Sequence, residues 1–326
     1  MTQLPVTKVH GSRNEILVID GTPDDHAPAE RLVRRLCDRG EGLGADGVYF
    51  VADAGDGSGR AWFFNPDGSE SLLCGNGMRG AGRLLLDRYQ ADQVVLHTGP
   101  YTFTVRDAGR TPHGVRQTAV ELPPVDFTPD DALIADVPAP VVDRRVEAYH
   151  PTLAVTAVAV PNSHLVSVIG AYDEADLIAT GRRVAETPEV FPLGANVSFI
   201  LALGDAVDEV YVQTYERGAG LTPSCGSGNV ASRAVLSRLG RVAPDRPVLM
   251  RNPGGVARCW MQESEGRWQP VLEGNATIVY RARVNVDGDG PVTFEAETDD
   301  AEIAAFEGLH AENRKLLAAA GVNPSV

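Results

Sequence analysis

Two stretches of the chain set a cysteine where acid–base chemistry is easily built: "NPDGSESLLCGNGMRGAGR" from Asn65 to Arg83, and "ERGAGLTPSCGSGN" from Glu216 to Asn229. In both, Cys-Gly-polar-Gly runs straight into a helical pattern. Glycine lets the backbone come close to a ligand and leaves its N–H accessible. The first N–H groups of a helix have no intrahelical partner, and with the dipole they hold an anion such as a carboxylate. The same field favours thiolate over thiol, and in known cases lowers the cysteine pKa by roughly one to several units. One motif therefore offers a base and a carboxylate cradle together.

Two such motifs, one from each half of the chain and facing each other, predict a two-base racemisation. One thiolate removes the α-proton of an amino acid, and the opposite thiol returns a proton to the other face. The cradle stabilises charge that spreads onto the carboxylate. No metal and no cofactor are needed. A single Cys-Gly turn is most often only a turn. Two copies, Cys74 and Cys225, 151 residues apart in a chain of 326, favour function. The competing chemistry is a reversible disulfide between the same two residues, which gives no reason for the repeated glycines.

Composition narrows the classes. Hydrophobic residues make up 43% of the chain, enough for one large domain or two ordinary ones. A formal net charge of -15 argues against nucleic-acid or anionic-membrane partners. No run of about 18 apolar residues suggests a membrane span, and "MTQLPVTKVHG" lacks a signal pattern, so a cytoplasmic protein is expected. The lysines are Lys8 and Lys315, two poorly placed candidates for a pyridoxal phosphate Schiff base. Cys37 in "ERLVRRLCDRG" and Cys259 in "VARCWMQ" fall on apolar faces and read as core; no CxxC spacing suggests zinc.

The elements that must position the two thiols repeat. "EILVID", "GVYFVAD", "AWFF", "QVVLHT", "YTFTVR" and "RQTAVEL" read as strands, with helices over "APAERLVRRLCDR" and after Cys74. The proline-rich "ELPPVDFTPDDALIADVPAPVVD" reads as a connector. Then "LAVTAVAV", "HLVSVI", "VSFILAL" and "EVYVQTY" read as strands, "YDEADLIATGRRVAE" as a helix, and "VASRAVLSRLG" as the helix after Cys225. This order predicts a duplicated α+β unit of antiparallel rather than Rossmann-like strands. The expected division is 1–124 with Cys74, 125–280 with Cys225, and 281–326 as a return segment with a C-terminal extension. In that tail "DGDGP" reads as a turn, "VTFEAET" as a strand and "DDAEIAAFEGLHAENRKLLAAAG" as an amphipathic helix.

The sequence resembles the diaminopimelate epimerase family from about Val6 to about Arg283. The family's "K-M-x-G-x-G-N-D-F" stands here as "KVHGSRNEI", its "G-x-G-A-D-G" as "GLGADG", its "N-x-D-G-S…C-G-N-G-x-R" as "NPDGSESLLCGNGMR", and its "E-R-G-x-G-x-T-x-x-C-G-T-G" as "ERGAGLTPSCGSG". The resemblance implies two pseudo-symmetric α/β lobes, each a mostly antiparallel, strongly curved sheet around a central helix. It implies a cofactor-independent, cytoplasmic, homodimeric isomerase of lysine and cell-wall biosynthesis that interconverts LL- and meso-diaminopimelate. Cys74 and Cys225 would be the acid/base pair. Gly75, Asn76, Gly226 and Ser227 would hold the reacting carboxylate, and Asn14, Asn65, Asn162, Asn196 and His164 would surround the substrate. Arg217 would grip the far carboxylate by bidentate pairing, with Glu216 beside the amine.

The chain departs from the family pattern at "PNSH" in place of "G-N-P-H", at Leu221 in place of a common glutamate, at "CGSGN", and at Gly194 in place of a polar residue. These changes touch walls rather than catalytic groups. They keep open a paralogous racemase acting on another amino acid, such as histidine or a specialised biosynthetic one.

Overall fold

A computed structural model of the chain describes residues 3–26, 28–204, 206–286 and 290–326. Contacts divide it into two units, Met1–Glu121 with Glu273–Leu309, and Leu122–Leu272 with His310–Val326. Part of the tail's expected "DGDGP" turn, residues 287–289, lies outside the described residues, as does Ala27 at the start of the expected first helix.

The first unit runs β1 (Gln3–Gly11), β2 (Asn14–Asp20), α1 (Ala29–Cys37), β3 (Val48–Asp53), β4 (Ser58–Phe64), β5 (Glu70–Ser71), α2 (Gly75–Tyr89), β6 (Gln93–Thr98), β7 (Tyr101–Arg110) and β8 (Arg116–Glu121). The second runs β9 (Arg144–Arg145), β10 (Ala154–Val160), β11 (Asn162–Ile169), α3 (Glu174–Glu186), β12 (Asn196–Ala202), β13 (Glu209–Glu216), β14 (Gly220–Leu221), α4 (Gly226–Arg238), β15 (Val248–Asn252) and β16 (Gly255–Ser264). The chain then continues through β17 (Arg267–Asn275), β18 (Thr277–Asn285), β19 (Thr293–Thr298) and α5 (Asp300–Ala319). Strand β18 pairs with β1, so the first unit is completed by the far end of the chain.

Pairing repeats as the element order does. β1–β2, β3–β4 and β6–β7 are antiparallel, and so are β10–β11, β12–β13 and β15–β16. Parallel pairs fall at matching places: β2–β3 and β4–β6 in one unit, β11–β12 and β13–β15 in the other. The strands are mostly antiparallel, as expected, and these four parallel pairs are the exceptions. The reason is the crossover helix, which returns the chain to the same sheet edge before the next strand begins.

In each unit the strands wrap a helix, α2 in the first and α4 in the second. In α2 the residues from Gly75 to Arg83 are all buried. A helix buried all round needs thin sides. A Cβ on Gly80 would stand 2.4 Å from Val9, and one on Gly82 would stand 2.6 Å from Val105. Helical glycine costs about 1 kcal/mol relative to alanine; here it lets the strands lie directly on the helix. The α4 equivalent uses Gly228, Ala231, Ser232 and Ala234, all buried. Among the described residues, no helix is long and apolar enough to cross a membrane.

Helix α5 buries Glu302, Phe306, His310, Asn313 and Leu317, a helical stripe with polar members. In the first unit, Arg83 of α2 and Glu302 pair with both side chains 6% exposed. The His10 and Phe306 rings pack edge-on at 4.3 Å. In the second unit, Arg251 Nη1 donates to Asn313 Oδ1 at 2.9 Å, and Leu317 and Val322 pack on Tyr211.

Candidate active site

Both cysteines sit at the N-caps of their helices in extended backbone. Cys74 Sγ accepts the Gly77 N–H at 3.4 Å, and Cys225 Sγ accepts the Gly228 N–H at 3.3 Å. A thiol here does what serine or aspartate does at an ordinary N-cap, so the sulfur lies among the first-turn N–H groups. Cys37 and Cys259 are buried in the core, where burial pushes each thiol up to about 12.

In the first unit the turn between β1 and β2 sets Asn14. Ser12 and Arg13 both take positive φ, 50° and 65°, the two-residue hairpin geometry that suits strand twist. A buried amide fixes the turn: Asn275 Oδ1 accepts the Ser12 N–H at 2.8 Å, and Asn275 Nδ2 donates to the His10 carbonyl at 3.1 Å. Asn14 then opens β2 with its Oδ1 3.5 Å from Cys74 Sγ and its Nδ2 donating to Asp46 at 3.3 Å. Tyr49 of β3 clamps the cap residue, its hydroxyl accepting the Cys74 N–H at 3.0 Å and donating to the Cys74 carbonyl at 3.2 Å. Burial holds the Tyr49 phenol well above its ordinary range, so it stays neutral. Asn76 Oδ1 accepts from Arg79 Nη2 at 2.9 Å. Asn65 lies in the turn leading toward Cys74, its amide donating to Ser69 at 3.0 Å.

In the second unit the expected residues form one chain of contacts. Cys225 Sγ stands 3.5 Å from Ser227 Oγ, which accepts from Asn162 Nδ2 at 3.5 Å. Asn162 Oδ1 is 3.1 Å from His164 Nε2, which is 3.4 Å from Asn196 Nδ2. Asn196 Oδ1 accepts the Arg217 N–H at 2.9 Å. Asn162 opens β11 just as Asn14 opens β2. Glu216 accepts from Thr222 Oγ1 and its carboxylate also reaches the Cys225 thiol. The Arg217 guanidinium donates to the Leu193 carbonyl. Gly194 has φ +59°, and a Cβ there would stand 2.8 Å from Arg217 Cδ. The family departure at Gly194 thus leaves the arginine its space.

At Cys225 the electrostatics run against the helix field. The expectation that the helix field lowers both is corrected at Cys225. Burial raises this thiol well above its ordinary range, the Glu216 carboxylate raises it further, and the Ser227 hydroxyl and Gly228 N–H oppose them without winning. His164, fully buried, is pushed down to about 3 by desolvation. At neutral pH it is an uncharged ring that organises asparagines.

Tyr49, Arg79 and Asn275 were not singled out from the sequence. Arg79 had a signal, as the last letter of "CGNGMR". Tyr49 reads as one more core aromatic of a strand, and Asn275 has no local mark at all.

The fold is shared with amino-acid racemases and epimerases. A probable proline racemase from Agrobacterium radiobacter aligns with a TM-score of 0.62 at 16% identity, covering 87% of this chain and 93% of that one. A phenazine biosynthesis protein of the PhzF family from Bacillus anthracis aligns with a TM-score of 0.63 at 14% identity, over 88% and 100%. The diaminopimelate epimerase family model matches residues 6–121 and 156–279. The diaminopimelate epimerase of Enterococcus faecalis is 34% identical over 286 residues, 84% of this chain and 86% of the relative. That of Ligilactobacillus salivarius is 31% identical over 327 residues, 95% and 99%. The chain belongs to the diaminopimelate epimerase family and is an isomerase of the amino-acid epimerase type.

Proposed function

We propose that the protein interconverts LL- and meso-2,6-diaminopimelate without pyridoxal phosphate, using Cys74 and Cys225 as its two acid/base groups. The observation that carries this reading is a helix-capping cysteine in each unit, its sulfur beside first-turn backbone N–H groups. One thiolate takes the α-proton. The backbone amides of Gly75, Asn76, Gly226 and Ser227 stabilise the carboxylate as charge spreads onto it. The other thiol delivers a proton to the opposite face. Within this reading Cys225, raised by burial and by Glu216, starts as the thiol.

Diaminopimelate carries an amino-acid group at each end, so its site needs a second anion receptor away from the chemistry. Arg217, with room made by Gly194, suits that carboxylate, and Glu216 suits an ammonium. Asn14, Asn65, Asn162 and Asn196 offer donors and acceptors without net charge, as a zwitterion requires. Neutral His164 keeps Asn162 and Asn196 in register. One observation favours a paralogous racemase with a less polar substrate: Leu221 places a half-buried apolar side chain in β14, in the strand pair that holds Glu216.

A substrate panel decides between the two. Purified reduced protein without added cofactor is given LL-diaminopimelate, proline, hydroxyproline and histidine, and stereochemistry is followed by chiral chromatography. The proposal expects kcat/KM for diaminopimelate to exceed the others by at least about a hundredfold, because an amino acid without the second carboxylate leaves the Arg217 guanidinium without its anion. Comparable or greater turnover of an amino acid lacking the second carboxylate would overturn it.

A further inference from the structure

Arg79 lies on α2 one turn beyond Asn76, with its side chain 1% exposed. Its guanidinium packs against the backbone of Gly11 and Gly274. Nη2 donates to Asn76 Oδ1 at 2.9 Å and Nε donates to the Asn275 carbonyl at 3.3 Å. Nη1 is buried without a hydrogen-bond partner. No ion pair joins Arg79 to a carboxylate among the described residues; the charge that acts on it is the Cys74 sulfur.

The second unit has a buried arginine of the ordinary structural kind. Arg233 on α4 donates to the carbonyls of Cys259, Ala243, Pro244 and Arg246 and to Ser237 Oγ. All three of its nitrogens are engaged by neutral acceptors. At the α4 position equivalent to Arg79, five residues past the cysteine, stands Val230. Arg79, with Nη1 left without an acceptor, has no such set of neutral partners to compensate its buried charge, so it needs a negative partner at the helix end.

We infer that Arg79 is the built-in counter-charge of the first unit's helix end, orienting the Asn76 amide and stabilising the thiolate form of Cys74. It is a positioning residue, acting through Asn76 and the sulfur. The inference deepens the reading in which Cys74 is a base, and explains why the two half-sites differ: a buried arginine serves one thiol, and a carboxylate, Glu216, opposes ionisation of the other. The titratable and charged groups around this centre are few. Tyr49 on β3 is held neutral by burial. Asp46, behind Asn14, pairs with Arg39 at 2.7 Å. His10 on β1 is engaged by the Arg13 N–H at 3.3 Å. Arg83, one turn further along α2, is committed to Glu302.

The test needs no substrate, so it reports on Arg79 whatever amino acid the enzyme accepts. Wild type, Arg79→Met and Arg79→Lys are labelled briefly with iodoacetamide from pH 5 to pH 10, and peptide mass spectrometry reads Cys74 separately from the other thiols. Wild type is expected to label with a midpoint below the free-thiol value of about 8.5. Arg79→Met is expected to raise the midpoint by about one unit or more, and Arg79→Lys to retain most of the depression. An Arg79→Met protein that is folded by circular dichroism yet labels at the wild-type midpoint would overturn the inference. Should Arg79→Met not fold, wild type alone decides. A buried counter-charge is little screened, so the midpoint stays fixed from about 0.01 M to about 1 M salt. A rise toward 8.5 in high salt would mean exposed charges, and the inference fails.

Discussion

The buried ion pair between Arg83 and Glu302 gives the sharpest quantitative handle on how α2 is held. Both side chains are 6% exposed. Glu302 also accepts the Ile278 N–H at 2.8 Å, and Arg83 also donates to the Ala276 carbonyl. Removing one member leaves a buried charge alone, a loss of about 3–5 kcal/mol. The two single losses are unequal. Arg83 keeps Asp87, 3.4 Å away and 29% exposed, so Glu302→Leu falls at the low end, whereas Arg83→Met strands Glu302 and falls at the high end. The double variant removes both charges and leaves the Ile278 and Ala276 backbone groups unpaired, at about 1–3 kcal/mol each. It therefore loses less than the roughly 8 kcal/mol sum of the singles, and the coupling energy is about 2–6 kcal/mol. Urea denaturation of all four proteins measures it. On heating, each single should lose roughly 6–20 °C in Tm. Singles that each cost under about 1 kcal/mol, or that simply add in the double, would refute the argument that this pair is desolvated and mutually dependent.

Gly77→Ala places a Cβ 2.7 Å from the Tyr49 ring, so overpacking of about 1–3 kcal/mol should outweigh the gain of about 1 kcal/mol in helix propensity; a raised Tm would contradict this. Because His164 is pushed down to about 3 by burial, its ring stays neutral from pH 8 to pH 4 by NMR. Its folded pKa lies below the unfolded value of about 6.5, so it weakens the fold as pH falls from there toward 3, by about 1.4 kcal/mol per unit; a His164→Gln variant should show a shallower acid limb. Glu216→Gln removes a negative charge beside Cys225, so methylthiolation of that thiol should move to lower pH; no movement would show that burial alone sets it.

The duplication was readable because both halves repeat strands, Cys-Gly-polar-Gly and helix, and hydrophobic period separates strand from helix. Parallel pairing at β2–β3 and β11–β12 was not, since apolar runs look alike in either direction. The strands β17 and β18 were also missed: "RWQPVLEGN" and "TIVYRARVN" mix charged residues into their alternation. Cysteine placement at the helix caps followed from the glycines around it. The raised Cys225 thiol did not, because it depends on how deeply that thiol is buried and on a carboxylate, Glu216, that β13 brings back nine residues before it. The stripe of α5 was legible as amphipathic, but its Glu302, His310 and Asn313 read as surface until the buried partners on other strands and helices are seen.

Solvent-deuterium incorporation tests the two-thiol account most directly. Reduced protein with LL-diaminopimelate in deuterated water should place deuterium on the α-carbon as the meso isomer forms, and Cys74→Ala and Cys225→Ala should each abolish epimerisation. Undiminished epimerisation by either alanine variant, or stereochemical inversion with no deuterium in the product, would contradict it.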